Sequence, residues 1–276
     1  MDYPLPAGRK GHAVAAVVTI IDEEFDAVRD ALGISSELSG TRYFGRQQVT
    51  QNSWDVILGQ PTDRSNIPCG NLVGEIIEDF RPQVLLLVGI AGALLDGTSG
   101  REGIALGDVV IADSVSYVEF LKVTQSGTFL RHFPIDQPSV HLRGAVSQQI
   151  ARSFALKDAL RMAAPGGDGA PKIRIGQIVS GEKVMSGIDS PVQAELLKPF
   201  DKALAVDMES IGMARMVCER RTSFWYNPRY AVVRGISDLV GMPGNEKTRE
   251  AWRKYAAHTA ALVAAEFVRR FGALAT

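Results

Sequence analysis

The sequence contains few of the residues that build disulfide frameworks or metal sites. It has only two cysteines, Cys69 and Cys218, and four histidines, which occur without HxH or HxxxH spacing. A disulfide framework or a zinc cluster needs more cysteines, or cysteines and histidines at closer spacing. We therefore expect two reduced thiols and no metal site.

Excess charge and long apolar runs are also absent. Lys plus Arg number 30 and Asp plus Glu number 31, so the net charge of −1 gives no long-range attraction to nucleic acid or an anionic membrane. The longest apolar runs, 13–21 and 84–95, are shorter than the roughly 18 residues that cross a bilayer. The first run leads into three acidic residues without the cleavage site of a signal peptide. These absences predict a cytoplasmic protein with no nucleic-acid or membrane partner.

Apolar segments of strand length alternate with helical patterns along the chain. With 46% hydrophobic and 22% charged residues, the composition is that of a globular protein. The alternation predicts one α/β domain over residues 1–276, with a short extension at 1–12 and a three-layer α/β/α sandwich around a mixed, largely parallel sheet. The predicted strands are 13–21, a segment around 48–58, 84–88, 108–112 with a continuation through 123, 173–179, 203–206 and 230–236. The predicted helices are 23–32, 71–80, 140–162, 208–220 and 247–271.

Two glycine-rich segments, 96–103 and 163–171, are predicted to be surface loops. The first matches neither of the phosphate-binding patterns GxxxxGK[ST] and GxGxxG. The turn after the first predicted strand also lacks GxGxxG and carries Asp22, Glu23 and Glu24 instead. This argues against a nicotinamide-dependent dehydrogenase.

Polar or glycine-rich clusters follow five of the predicted strands directly. In open α/β sheets, ligands bind at the carboxyl ends of the strands. Taken singly, the acidic residues are equally consistent with helix capping. Taken together, they predict a cleft lined by carboxylates. The clusters are 22–24 (DEE), 89–92 (GIAG), 180–184 (SGEKV), 207–209 (DME) and 237–238 (SD).

These residues also carry a resemblance to a known family. The segments IDEEFDAV (21–28), VGIAGALL (88–95), LGDVVIAD (106–113), GQIVSGEKVM (176–185), AVDMESIGMA (205–214) and VVRGISD (232–238) resemble those of the nucleoside phosphorylase superfamily. The sequence is most similar to its branch of 5′-methylthioadenosine/S-adenosylhomocysteine nucleosidases, over about residues 14 to 270. The resemblance implies the superfamily's α/β fold and cleavage of the bond between ribose and a purine, through an oxocarbenium-like transition state.

The resemblance also implies roles for single residues. Asp238 would protonate the leaving purine, and a general acid at neutral pH needs a raised pKa, which a semi-buried cleft with neighbouring carboxylates would supply. Glu209 would accept from the two ribose hydroxyls, with Met208 packed on the sugar. Glu24 would orient the attacking water. The other expected substrate contacts are Ala91, Gly92, Val184, Met185 and Ser237.

Several readings of this site stay open on sequence alone. Hydrolysis is favoured because acidic residues 22–24 would repel phosphate, but a phosphate-dependent phosphorylase is the alternative. A non-catalytic nucleotide-sensing module of the same fold is another. The two enzyme readings involve a small nucleoside substrate, with water or phosphate as co-substrate, and no metal or organic cofactor is expected. The resemblance further implies a homo-oligomer, with a dimer favoured.

The substrate is less well defined than the reaction. Val184 stands where the branch has an aromatic residue that stacks on adenine, and segments 94–105 and 220–229 look extended. Such segments near the cleft could reshape the pocket for the 5′ substituent. Arg101, Lys122, Arg131 or His132 could then contact a 5′-phosphate, although each is also a typical surface charge.

Overall fold

The computed structural model describes residues 13–40, 42–49, 52–94, 104–161, 171–185, 190–221 and 226–274. The predicted extension at 1–12 and most of both glycine-rich segments lie outside these ranges. The single-domain organisation over residues 1–276 stays a prediction.

The described ranges form eleven strands and eight helices. The strands are β1 (Ala13–Val18), β2 (Ser36–Ser39), β3 (Arg42–Val49), β4 (Asn52–Gly59), β5 (Val84–Leu94), β6 (Val109–Tyr117), β7 (Leu121–Thr124), β8 (Gly127–Leu130), β9 (Ile173–Ser180), β10 (Ala203–Asp207) and β11 (Arg229–Val240). The helices are α1 (Asp22–Leu32), α2 (Asn66–Phe80), α3 (Val140–Leu142), α4 (Gln148–Arg152), α5 (Phe154–Ala159), α6 (Pro191–Leu197), α7 (Ser210–Arg220) and α8 (Asn245–Leu274). A π-helical turn, Arg143–Ser147, joins α3 to α4.

Nine strands form one mixed sheet in the order β10-β9-β6-β11-β5-β1-β4-β3-β2. The first part of β5 pairs with β1 in parallel, and its end pairs with β10 in antiparallel through Gly92 and Ala93. This second pairing closes β5, β11, β6, β9 and β10 into a ring. The predicted α/β fold with a mixed sheet is therefore confirmed. The sheet is closed over these five strands, however, and not the open layer that the sandwich prediction assumed.

Side chains of the strands alternate between two apolar clusters. Ala15 and Val17 of β1 face the cluster that includes α1 and α8, whereas Ala16 and Val18 face the one that includes α2 and α7. This period of two is the expected pattern for strands covered on both faces, because successive side chains point to opposite sides of the sheet.

Two strands are longer than predicted, and this changes where the site residues lie. β5 runs to Leu94 and β11 to Val240, so the glycine segment 89–92 and the pair 237–238 lie inside strands and not in the loops after them. The register of β11 against β5 shifts between Ile236 and Asp238. Such a bulge bends a strand and redirects a side chain. Here it lies directly beside Asp238.

Other boundaries also differ from the prediction. The predicted helix 140–162 is divided, because Ser153 adopts an extended conformation and its hydroxyl accepts a hydrogen bond from Leu156 N at the start of α5. The predicted continuation of β6 through 123 is a separate hairpin, β7–β8. α2 begins at Asn66, five residues before its predicted start, and the antiparallel strands β2 and β3 were missed apart from the overlap at 48–49.

Helix α8 approaches β11 closely. A Cβ atom added at Gly235 would lie 2.0 Å from the Ala256 carbonyl oxygen, so only glycine permits this spacing. The contact brings the first turns of α8, with Asn245 and Arg249, beside Asp238. No helix within the described ranges is both long enough and apolar enough to cross a bilayer. The cytoplasmic location stays a prediction.

Candidate active site

One cavity, of about 170 Å³, collects residues from all five clusters that follow predicted strands. It lies at the carboxyl ends of β1, β5, β9, β10 and β11. The residues named from sequence all line it: Glu24, Ala91, Gly92, Val184, Met185, Met208, Glu209, Ser237 and Asp238. The structure therefore brings the whole predicted set together, while the role of each member stays a prediction.

The carboxylate of Glu24 accepts hydrogen bonds from a cluster of backbone N–H groups. Its Oε2 accepts from the N–H groups of Ile20 (2.7 Å) and Ile21 (3.1 Å), and its Oε1 accepts from Ile90 N–H (2.8 Å). Burial raises the pKa of Glu24, against the opposing effects of the nearby Arg234 guanidinium and the three N–H groups. Because Ile21 is the N-cap residue of α1, Glu24 also serves as the helix cap that the sequence allowed.

A fully buried arginine lies behind the cavity, and the sequence predicted no role for it. Arg234, in the middle of β11, donates to Asp207 (2.8 Å) and Glu209 (3.1 Å). Its Nη1 is buried without a hydrogen-bond partner among the described residues. A Cβ at Gly89 would lie 2.4 Å from both this Nη1 and Glu24 Oε1, so glycine lets the two groups meet there. The sequence did contain a signal for such a role, because an arginine inside an apolar strand places a charge in the core. A buried charge requires partners.

Asp207 and Glu209 share this arginine but differ in environment. Asp207 accepts from the backbone N–H (3.2 Å) and the hydroxyl of Ser210, the first residue of α7, so its side chain matters structurally. Burial raises the pKa of Glu209 to about 7, with Arg234 opposing the shift and Asp207 adding to it. Glu209 is therefore partly protonated near neutral pH.

Ser65, which precedes α2, supports Glu209 through its backbone. Its N–H donates to the Glu209 carboxylate. Ser65 has a φ of 97°, which is unfavourable for any residue except glycine. Nothing in the sequence predicts this conformation of Ser65. The adjacent Arg64 lies on the cavity wall.

Asp238 is hydrogen-bonded to three polar side chains. Its Oδ1 accepts from Ser237 Oγ (2.6 Å), and its Oδ2 accepts from Asn245 Nδ2 (2.8 Å) and Arg249 Nη2 (3.0 Å). Asn245 and Arg249 were missed because they belong to α8, for which the sequence predicted a helix but no part in the site.

Gly92 provides room for Asp238. A Cβ at Gly92 would lie 2.7 Å from Val240 Cγ2 and 3.1 Å from Asp238 Oδ2. The absence of a side chain at this position is therefore required by the neighbouring strand as well as by any ligand. On the same side of the cavity, Met185 is buried and Val184 is 56% exposed.

The cationic residues at the cavity are not those proposed from sequence. Arg101 lies outside the described residues, and Lys122, Arg131 and His132 do not line the cavity. The cations that line it are Arg64, Lys183, Arg249 and Arg253. Within the described ranges, no three His, Cys, Asp or Glu side chains are grouped so that they could hold a metal ion.

Comparison with known proteins gives relatives over most of the chain. A family model described as the phosphorylase superfamily matches residues 69–271. The ATP nucleosidase Cap17 of Escherichia coli is 25% identical over 271 residues, covering 92% of this chain and 50% of that protein, so the chain spans about half the length of this relative. A 5′-methylthioadenosine/S-adenosylhomocysteine nucleosidase of Staphylococcus aureus is 25% identical over 228 residues, covering 81% of this chain and 86% of that protein.

Solved structures are similar over nearly the whole chain. The 5′-methylthioadenosine/S-adenosylhomocysteine nucleosidase of Neisseria meningitidis, in complex with methylthio-immucillin-A, superposes with a TM-score of 0.69 at 21% identity, covering 93% of this chain and 98% of that one. The futalosine hydrolase of Helicobacter pylori superposes with a TM-score of 0.68 at 19% identity, covering 93% and 97%. At these identities the similarity shows the fold alone.

Proposed function

The chain belongs to the phosphorylase superfamily, and on that premise we propose that it hydrolyses the N-glycosidic bond of a purine nucleoside. The products are the free base and a ribosyl product. The relatives are named as nucleosidases, which supports this reaction, but they are named for different substrates, ATP in one case and thioether nucleosides in the other. The 5′ substituent therefore has to be inferred from the cavity itself.

The position of the Glu24 carboxylate is the observation that carries the proposal. Backbone N–H groups that converge at a helix start form a natural site for a phosphate ion. Here the N–H groups of Ile20, Ile21 and Ile90 are already bonded to Glu24. An attacking phosphate would have to displace a carboxylate and meet its charge. Water needs neither, so hydrolysis is favoured over phosphorolysis.

Glu24 and Arg234 together suit the activation of that water. In the proposed step the water oxygen bonds to C1′ while the bond from C1′ to the base breaks, and a water proton passes to Glu24. Burial raises the pKa of Glu24, which suits a group that has to hold the proton it accepts, and Arg234 and the three N–H groups oppose this shift by stabilising the ionised form that accepts it. The unpartnered Nη1 of Arg234, next to Glu24 Oε1, offers a second hydrogen bond to orient the water.

We assign proton donation to the departing purine to Asp238. Negative charge builds on the base as the glycosidic bond breaks, and a proton from a positioned acid removes it. Ser237, Asn245 and Arg249 hold the carboxyl group in one orientation, which is the requirement for an acid that must meet a single ring nitrogen. Ala91, Gly92, Val184 and Met185 form the surrounding surface for the base.

Glu209 and Met208 are assigned to the ribose. A carboxylate can accept from two adjacent hydroxyls at once, and its charge stabilises the positive character that develops on the sugar. No metal or organic cofactor takes part in this mechanism.

Base release measured by chromatography tests the proposal. The panel contains methylthioadenosine, S-adenosylhomocysteine, adenosine, inosine, guanosine, AMP and ATP, each with and without inorganic phosphate. We expect equal release in both buffers, and a loss of at least about 100-fold in kcat for Glu24→Gln with little change in KM. The control is Asp30→Asn, an exposed carboxylate on the same helix. Release that depends on phosphate would identify a phosphorylase, and binding without turnover would identify a sensor.

The homodimer also stays part of the proposal. Exposed apolar side chains support it, including Ile67, which is 70% exposed at the start of α2, and Phe120 and Phe129 near the β7–β8 hairpin. Light scattering of the purified chain gives the mass that decides between monomer, dimer and hexamer.

A further inference from the structure

We propose that the substrate is a 5′-phosphorylated purine nucleoside, that is, a nucleotide, whose phosphate is bound by Arg64 and Arg253 at the ribose end of the cavity. This inference rests on the proposed function and specifies the substrate class of the same site. A neutral thioether nucleoside would offer no charged partner to the exposed guanidinium group of Arg64.

Arg64 is a free cation on the cavity wall. It is exposed, and its side chain makes no ion pair or hydrogen bond with any residue in the described part of the chain. Its place relative to the sugar follows from its neighbour, because the Ser65 N–H donates to Glu209, the residue assigned to the ribose hydroxyls. The 2′- and 3′-hydroxyls and the 5′ carbon are substituents of the same ribose ring, so a group at C5′ lies within reach of this wall.

Arg253 lines the same cavity from α8. Its Nη2 is 2.6 Å from Glu23 Oε1, and Glu23 is adjacent to Glu24 at the start of α1. The Nε of Arg253 is buried and has no hydrogen-bond partner among the described residues. One turn earlier on α8, Arg249 is bonded to Asp238 at the base end. The two arginines therefore line the cavity from one helix face, with Arg249 beside Asp238 and Arg253 beside Glu23.

The chemistry of these donors selects an anion. Arginine presents several N–H groups in a plane and binds phosphate oxygens in pairs, which makes it the preferred residue for phosphate recognition. Glu23 offsets the charge of Arg253, so the net positive charge that favours an anion comes from Arg64, and Arg253 contributes N–H donors. Glu24 is held by backbone N–H groups. A phosphate ester at C5′ fits here as part of the substrate, separate from the position of the attacking water at Glu24.

Kinetics of base release from adenosine, methylthioadenosine, AMP and ATP tests this inference. We expect the wild-type chain to prefer the nucleotides in kcat/KM, and Arg64→Ala and Arg253→Ala each to raise KM for the nucleotides by about 10- to 100-fold, the value of one or two charge-assisted hydrogen bonds. In Arg64→Ala, KM for adenosine, which has no phosphate, should stay within about twofold. The control is Arg161→Ala, an exposed arginine outside the cavity that pairs with Asp158.

The possible failures are distinguishable. Preference for methylthioadenosine or adenosine, or equal KM changes for AMP and adenosine in Arg64→Ala, would overturn the nucleotide inference and leave the hydrolase intact. If no compound releases base, calorimetric titration with AMP and ATP decides. Binding that Arg64→Ala weakens would support the nucleotide site and refute the hydrolase, and absence of binding would overturn both. If inorganic phosphate restores adenosine cleavage in an Arg64-dependent manner, the arginines bind the co-substrate, which also overturns both.

Discussion

Replacement of Arg234 by methionine should destabilise the protein strongly at alkaline pH. Arg234 is fully buried and bonded to Asp207 (2.8 Å) and Glu209 (3.1 Å), and methionine keeps a side chain of similar length without the charge. Removing one side of a buried ion pair costs about 3–5 kcal/mol, because the remaining charge stays out of water without compensation. For a chain of this length each kcal/mol corresponds to about 2 °C in Tm, so we expect Tm to fall by about 6–10 °C at pH 8.

The loss should be smaller at pH 6 than at pH 8. Burial raises the pKa of Glu209 from 4.5 to about 7 even with Arg234 present, so the folded state binds more protons than the unfolded state between these values. At pH 6 Glu209 is mostly protonated and depends less on the arginine. Thermal unfolding followed by circular dichroism at both pH values measures the difference.

A surface arginine provides the control for this experiment. Arg270 pairs with Glu266 one turn away on α8 and is one-third exposed, so Arg270→Met should lower Tm by about 1 °C or less. A fall below about 2 °C for Arg234→Met at pH 8, or an equal fall at both pH values, would refute the reasoning. If the single variant does not fold, the double variant Arg234→Met, Glu209→Gln should fold, since it removes one of the uncompensated charges.

Three further changes test the site directly. Affinity for the nucleoside, measured as KM from pH 6 to 8, should improve as pH rises through about 7, because Glu209 ionises there and accepts both hydroxyls, and Glu209→Gln should abolish the dependence. Gly92→Ala should lower kcat at least about tenfold, because the new Cβ would press on Val240 and Asp238. The control is Gly144→Ala, where an added Cβ has no atom within 4 Å, so the substitution should be neutral or slightly stabilising. Asp238→Asn should abolish base release with an unchanged circular dichroism spectrum, and near-normal rates would remove its assignment as proton donor.

Much of the site was predictable because its residues lie next to strands that the sequence marks clearly. Glu24, Glu209 and Asp238 each follow an apolar run, and the ends of neighbouring strands meet at one edge of a sheet. The local sequence pattern was sufficient to locate these residues, because it predicts both the strand and the residues that follow it.

The rest depended on contacts between segments far apart in the chain. The pairing of Gly92 with Val206 closes the ring of strands, and nothing in either segment alone indicates an antiparallel partner. Arg249 meets Asp238 only because Gly235 lets α8 approach β11. The positive φ of Ser65 is likewise imposed by its surroundings, since serine has no preference for it.

Glu24 can be regarded as a ligand tethered to its own binding site. The effective concentration of a tethered group is set by its linkage, in the millimolar range even for a flexible linker, and dissolved anions do not change it. The linkage here is the first turn of a helix, so the carboxylate is held in place continuously. Any dissolved anion has to compete for the three N–H groups with a carboxylate that is covalently attached. On the proposed mechanism, the choice between water and phosphate as nucleophile thus depends on one side chain, and its removal would expose three unused N–H donors.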